Sequence, residues 1–137
     1  MDIILNWLHV GSDMLFGPHQ FSDGTLRAIC LITLLLLPKE FLPKLIIVDE
    51  PELGLHPYAV TIIAGLFKSA SINTQILICT QSSAFLDNFE PEDVIVVDRD
   101  VKESAFRRLE PAELDEWLKE YSLGEIWEKN IIGGGPQ

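Results

Sequence analysis

The sequence predicts a mixed α/β fold in which a largely parallel sheet is flanked by helices. Apolar runs rich in isoleucine and valine occupy residues 45–48, 75–79 and 94–97, and such runs are typical of strands buried on both faces of a sheet. Longer apolar stretches that favour helices separate or precede these runs. Strands that alternate with helices indicate an α/β sandwich, since consecutive strands then run parallel.

Composition limits the classes of protein to which the chain can belong. Its 137 residues fit one domain, and a hydrophobic content of 47% argues against disorder. The formal net charge of -11 repels a phosphate backbone, which argues against non-specific nucleic-acid binding by this chain. If the complete protein binds DNA, another part of it should supply the basic surface.

Cysteine usage and hydropathy indicate a cytoplasmic protein that does not contact a membrane. Cys30 and Cys79 lie in apolar runs and are predicted to be buried small hydrophobes, which is compatible with a reducing compartment. The longest apolar stretch, residues 28–37, is shorter than the roughly 20 residues that span a bilayer.

The elements follow in order along the chain. Residues 1–20 show no sustained periodicity and form an irregular N-terminal segment, residues 21–132 form the domain, and the glycine-rich residues 133–137 form a flexible tail. Ser22 or Asp23 is the predicted N-cap of the first helix, and Pro57 opens the second. The predicted helices cover residues 25–37, 58–69, 82–86, 111–121 and 123–129, and the strands cover 45–48, 75–79, 94–97 and an edge strand at 105–109.

Two adjacent acids end the first predicted strand. Asp49 could hold a hydrated Mg²⁺, because this hard cation prefers carboxylate oxygens and keeps its waters. Glu50 could polarise an attacking water as a general base. The alternative interpretation is a solvated acidic turn.

Two further polar segments could complete a phosphate site. Ser22 and Gly24 stand at a helix start, where a hydroxyl, free amides and the positive helix end favour a terminal phosphate; the alternative is a simple N-cap. Gln81 follows the second strand and could orient a water with its side-chain amide, although strand ends are usually polar.

Taken in order, these segments resemble the motif series of ABC-type ATPases. Residues 21–27 resemble the signature, residues 45–51 the Walker B motif, residues 52–57 the D-loop and residues 78–82 the switch segment. The resemblance is closest to the AAA-type, predicted-ATPase branch related to RecF, SMC and OLD-family proteins. It implies the C-terminal half of an ABC ATPase-like domain, with a partial P-loop NTPase fold and with ATP and Mg²⁺ as cofactors.

The resemblance also implies a role for each matching residue. Ser22 and Gly24 would contact the γ-phosphate of ATP bound by an opposing subunit, Asp49 would support Mg²⁺ through water, and Glu50 would activate the nucleophilic water. Gln81 stands where the family usually has a histidine, and would orient water rather than shuttle a proton. The D-loop residues that would lie along the dimer seam are Glu52, Leu53, Gly54 and His56.

The sequence departs from the family in two further respects. Asp23 replaces a signature glycine and would weaken phosphate binding in trans unless it points away. No lysine follows a glycine, so the P-loop pattern Gly-x-x-x-x-Gly-Lys is absent. We therefore expect a truncated or split chain, or the product of a decayed gene, that pairs with itself or with a complementary chain carrying the P-loop; whether it is itself an enzyme stays open.

Two other functions are compatible with the sequence. Asp98 and Asp100 follow a strand in an Asp-x-Asp pattern that resembles the Mg²⁺-dependent Toprim domain of nucleases and topoisomerases, although that domain has Glu-Gly where this chain has Asp49 and Glu50. The chain could also be a non-catalytic interaction module that associates through apolar surface left uncovered.

The missing P-loop leads to a first prediction. We expect the pure chain to bind ATP weakly and to hydrolyse it negligibly, because nothing in the sequence cradles the phosphates. Titration with a fluorescent ATP analogue and a phosphate-release assay measure the two quantities. Turnover by the pure chain that disappears in Glu50→Gln would contradict this prediction.

Overall fold

A computed structural model describes residues 5–99 and 103–135 of the protein. The strands are β1 (Trp7–Leu8), β2 (Leu15–Phe16), β3 (Leu45–Asp49), β4 (Gln75–Cys79), β5 (Ile95–Arg99) and β6 (Ser104–Arg108). The α-helices are α1 (Asp23–Leu35), α2 (Pro57–Ser71), α3 (Ser83–Leu86), α4 (Pro111–Leu114) and α5 (Leu123–Glu128). Short 3-10 turns cover Pro18–Gln20, Lys39–Phe41, Pro91–Asp93 and Trp117–Lys119.

The β3–α2–β4 unit is the centre of the fold. β3 and β4 pair in parallel, with Leu45 opposite Gln75 and Asp49 opposite Cys79. Such a pair requires a crossover connection, and α2 supplies it. His56 caps α2 by accepting a hydrogen bond from the Tyr58 amide, and a proline occupies the first helical position as the sequence predicts.

Two hydrophobic cores meet at α3. The first packs one face of β3 and β4 against α1 and α2, and its buried members are Leu35, Ile46, Val60, Ile63, Ala64, Phe67, Ala70 and Phe85. The second joins β5 to the C-terminal helices, and its buried members are Val96, Leu109, Leu114, Leu123, Ile126 and Ile132. Phe85 enters the first core while its neighbour Leu86 packs against the second, so this short helix connects them.

The predicted mixed α/β class is confirmed. The prediction of a largely parallel sheet is wrong, because only part of the pairing is parallel. Among the described residues there are three two-stranded sheets, of which only β3–β4 is parallel. β1–β2 and β5–β6 are antiparallel. Residues 100–103 alone separate β5 from β6, and a connection this short can only return the chain antiparallel.

The prediction that the strands are buried on both faces is also wrong. Ile46 is 4% exposed, but Leu45 and Ile47 on the other face of β3 are 46% and 62% exposed. Leu77 on β4 is 48% exposed. Successive side chains of a strand point to opposite faces, and the described helices pack against one face only.

Three smaller predictions differ from the structure. Cys30 and Cys79 are exposed rather than buried. The helix predicted for residues 111–121 is limited to α4 and a 3-10 turn; Leu114 is buried there but Trp117 is 43% exposed, so no continuous apolar stripe holds a longer helix. The N-terminal segment contains the β1–β2 pair, and residues 1–4 lie outside the described part.

The glycine-rich end is hydrogen-bonded as far as residue 135. The Gly134 amide donates to Asp98 Oδ1 at 2.6 Å, and Trp127 Nε1 donates to the Gly134 carbonyl at 2.8 Å. These contacts attach Gly133–Gly135 to β5 and α5. The division of the chain into segment, domain and tail remains a prediction.

None of the described helices combines the length and the apolar content needed to cross a membrane.

The packing of α3 leads to a second prediction. Phe85 is 1% exposed and lies edge-on to Phe67, with ring centroids 6.3 Å apart. Phe85→Ala should lower the free energy of unfolding by about 3–5 kcal/mol, through lost burial and the cavity left behind. Phe41→Ala is the matched control, since Phe41 is 73% exposed. Urea denaturation measures both, and equal losses would contradict the prediction.

Candidate functional site

The two predicted acids lie at the carboxyl end of the parallel pair. Asp49 is opposite Cys79, and the Glu50 amide donates to the Cys79 carbonyl at 2.8 Å. Thr80 and Gln81 follow Cys79 directly, so the segment after β4 leaves the sheet at the same end as the acids. This is the edge at which ligands of α/β sheets collect.

Glu50 has an unusual backbone conformation. Its φ of 46° lies in the left-handed region, which costs a residue with a side chain about 1–3 kcal/mol. Two hydrogen bonds hold the turn. The Glu50 amide donates to the Cys79 carbonyl, and the Leu53 amide donates to the Glu50 carbonyl at 3.1 Å. Strained residues of this kind cluster at functional sites, where the surrounding structure sets the direction of one side chain.

A shallow cleft of about 230 Å³ lies between α1 and the end of β3. Arg27 lines this cleft together with the two acids. Its lining is Arg27, Cys30, Leu31, Val48, Asp49, Glu50 and Pro51. The cleft therefore combines one cation and two carboxylates with an apolar lining.

Ser22 is the N-cap of α1. Its Oγ accepts a hydrogen bond from the Thr25 amide at 3.1 Å and lies 2.8 Å from Thr25 Oγ1. Ser22 is exposed to solvent even though its hydroxyl makes the capping hydrogen bond. Asp23 is exposed in the first turn, where a negative charge interacts favourably with the positive end of the helix.

Gly24 and Gly54 are in close backbone contact. Gly24 is buried, and a β-carbon at this position would overlap the carbonyl oxygen of Gly54. Gly54 has a φ of 77°, which favours glycine there as well. Gly24 thus has a packing role that the resemblance did not imply, and its predicted phosphate contact in trans stays a prediction.

The remaining D-loop residues differ in orientation. Leu53 is 53% exposed, and its predicted place along a subunit seam stays a prediction. His56 is exposed and caps α2, its Nδ1 accepting from the Tyr58 amide at 3.3 Å. Glu52 instead turns inwards, and its Oε1 accepts a hydrogen bond from Thr80 Oγ1 at 2.5 Å.

The structure thus brings the predicted residues together in part. Asp49 and Glu50 share an edge with the segment that carries Gln81, which is exposed. Sequence reasoning missed the place of Arg27 in the lining of the cleft and the hydrogen bonds of Thr80. The position of Arg27 one turn into the helix, and of Thr80 directly after a strand, were the only signals for them.

The fit of Mg²⁺ depends on the carboxylates at this edge. Within residues 5–99 and 103–135, no group of three or more His, Cys, Asp and Glu is placed to hold a metal ion. Asp49 and Glu50 offer a pair of carboxylates. One or two carboxylates suffice where phosphates and water supply the other ligands of Mg²⁺.

The Toprim interpretation has little structural support. Asp98 belongs to β5, whose described partner is the antiparallel β6 rather than β3 or β4. Its Oδ1 already accepts a hydrogen bond from the Gly134 amide. Asp100 lies outside the described residues.

Comparison with known proteins gives a family and a fold. Residues 4–87, which are 84 of the 137 residues, match the model of the family described as "AAA domain, putative AbiEii toxin, Type IV TA system". No curated protein matches the chain.

One similar solved chain comes from work on the ATP-driven dimerization and DNA stimulated activation of SMC ATPases. Its TM-score is 0.60 at 20% sequence identity, a likeness that shows a common fold. The match covers 80% of this chain and 66% of that one, so the present chain spans just under two thirds of its length.

The contact between the two glycines leads to a third prediction. Gly24→Ala should destabilise the protein by about 1–3 kcal/mol, because the added carbon must push the Gly54 backbone away from α1. Gly65→Ala in α2 is the matched control: nothing lies within 4 Å of a β-carbon there, so alanine should stabilise the helix by about 0.5–1 kcal/mol. Thermal and urea unfolding measure both, and a neutral Gly24→Ala would show that the backbones are not in contact.

Proposed function

The chain belongs to this family of AAA domains, and we propose that it is the C-terminal portion of an ABC-type ATPase domain. In this proposal it supplies the signature, Walker B, D-loop and switch segments of a site at a dimer interface, and a complementary chain supplies the P-loop. Family and fold both support an ATPase-related function. The observation that carries the finer proposal is the placement of Asp49 and Glu50 at the edge from which Gln81 emerges.

The chemical roles follow from the residue types at that edge. Asp49 would support a water-coordinated Mg²⁺ that neutralises phosphate charge. Glu50 would accept a proton from the attacking water, and the turn that holds its backbone fixes the point from which its side chain extends. The Gln81 amide would orient that water, because it both donates and accepts hydrogen bonds.

The signature segment would act on a nucleotide held by the opposing subunit. Ser22 is exposed at the first turn of a thirteen-residue helix, where hydroxyl and positive helix end act together. Gly24 would place this turn against the D-loop of its own chain. An opposing subunit would then meet both segments as one surface.

The exposed face of β3–β4 supports a complementary chain as the partner. Leu45, Ile47 and Leu77 are each between 46% and 62% exposed, and a face of this kind is normally covered in an α/β fold. The similar solved chain comes from work on the ATP-driven dimerization and DNA stimulated activation of SMC ATPases. By analogy we propose a dimer here too, with DNA as a partner of the complete protein only, because the chain itself carries a net charge of -11.

A non-catalytic interaction module is the second candidate. The same exposed apolar face favours it, because association through that face does not require hydrolysis. The two candidates differ in whether the complex of two chains hydrolyses ATP. They also differ in whether Glu50 is needed for it.

A two-chain ATPase assay is the fourth prediction and the test of this proposal. A separate chain that carries a P-loop is assayed alone, this chain is assayed alone, and the two are then mixed. We expect Mg²⁺-dependent phosphate release only from the mixture, and a decrease of about 100-fold or more in kcat with Glu50→Gln.

Glu40→Gln is the matched control, since it removes one exposed negative charge outside the candidate site. It should leave kcat unchanged. A stable complex without hydrolysis would favour the interaction module. Hydrolysis that survives Glu50→Gln would rule out the assigned general base.

A further inference from the structure

We propose that Glu52 is a positioning residue, which holds the segment carrying Gln81 through the hydroxyl of Thr80. This inference rests on the proposed function and adds a residue to it. The resemblance implied only that Glu52 lies along a seam between subunits. The structure instead turns this carboxylate towards its own sheet.

The hydroxyl of Thr80 makes two hydrogen bonds. It donates to Glu52 Oε1 at 2.5 Å and accepts from the Ser82 amide at 3.0 Å. A carboxylate can only accept, so the bond to Glu52 determines the direction of the hydroxyl proton and leaves a lone pair for Ser82. Gln81 is the residue between the two ends of this turn, and its backbone is therefore fixed from both sides.

Glu52 is itself placed by the D-loop turn. Pro51 before it is buried, and the Leu55 amide donates to the Glu52 carbonyl at 3.0 Å. Two residues further on, Gly54 packs against Gly24. The D-loop therefore contacts the signature segment through a glycine and the switch segment through a glutamate.

The burial of the Glu52 carboxylate makes the loss of its hydrogen bond from Thr80 energetically unfavourable. Its Oε2 is buried and has no hydrogen-bond partner among the described residues. A buried carboxylate oxygen without a donor is unfavourable, so the bond from Thr80 is the main compensation for placing the group there. A residue needed only for surface solubility would not be oriented in this way.

The opposite end of β4 supplies a matched control. There, Thr74 Oγ1 donates to the Pro43 carbonyl, which ties the start of β4 to the segment before β3. Thr74→Val and Thr80→Val therefore make the same chemical change, the loss of a threonine hydroxyl, on either side of β4. Only the second deletion removes a contact with the D-loop.

The experiment measures amide hydrogen exchange and the side-chain amide resonances of Gln81 by NMR, on the pure 137-residue chain. Thr80→Val should accelerate exchange at the Ser82 amide by about fivefold, the effect of losing one hydrogen bond to a neutral hydroxyl. Glu52→Ala should accelerate it in the same direction but by less, because the Thr80 hydroxyl stays and loses only the acceptor that orients it. Both should shift the Gln81 side-chain resonances. Thr80→Ser keeps the hydroxyl and should restore wild-type behaviour, and Thr74→Val should leave Ser82 and Gln81 unchanged.

Glu52→Asp keeps the charge but shortens its reach by one methylene, and it carries the test if Glu52→Ala does not fold. An unchanged Ser82 and Gln81 in the Glu52 variants, or an equal response to Thr74→Val, would overturn the proposal. The NMR measurement needs no ATP hydrolysis. If the amides respond and the two-chain assay shows no hydrolysis, the proposed function fails and the positioning contact stands; the reverse result removes the positioning role alone.

Discussion

The parallel register of β3 and β4 is the constraint on which the candidate site depends. With Asp49 opposite Cys79, the strands end together, and the acids and the segment carrying Gln81 emerge at one edge. A slip of one residue would exchange the two faces of a strand and turn Ile46 out of the core. The burial of this side chain, together with the crossover through α2, therefore holds the site in place as well as the fold.

Close backbone contacts organise the segments around this edge. Gly24 and Gly54 bring the start of α1 against the loop between β3 and α2, and a side chain at Gly24 would exclude that approach. Glu52 then connects the same loop to Thr80. Three segments that are distant in the sequence thus share one small region, and the loop between β3 and α2 contacts the other two.

The molecule buries one face of its parallel strands and leaves the other accessible. The net charge of -11 opposes association between copies of the chain, whereas exposed leucine and isoleucine on the open face favour association. A partner that covers this face would complete an α/β sandwich. The proposed requirement for a second chain is thus a matter of packing as well as of chemistry.

The sequence by itself determined the features encoded within a few neighbouring residues. These include the limits of β4, the start of α2 at Pro57 and an N-cap of α1 at Ser22 or Asp23, of which the structure selects Ser22. Such features arise from local hydrogen bonds and from apolar periodicity, which a single stretch of chain displays.

Only the tertiary structure decided which strand faces stay exposed, that Gly24 is a packing glycine, and that Glu52 turns towards Thr80. Glu52 and Thr80 are 28 residues apart in the chain. Contacts of this kind depend on how helices and strands pack on one another, so no local sequence pattern predicts them. The open face of β3–β4 has the same origin, because an isoleucine-rich strand has the same sequence whether one or both of its faces are covered.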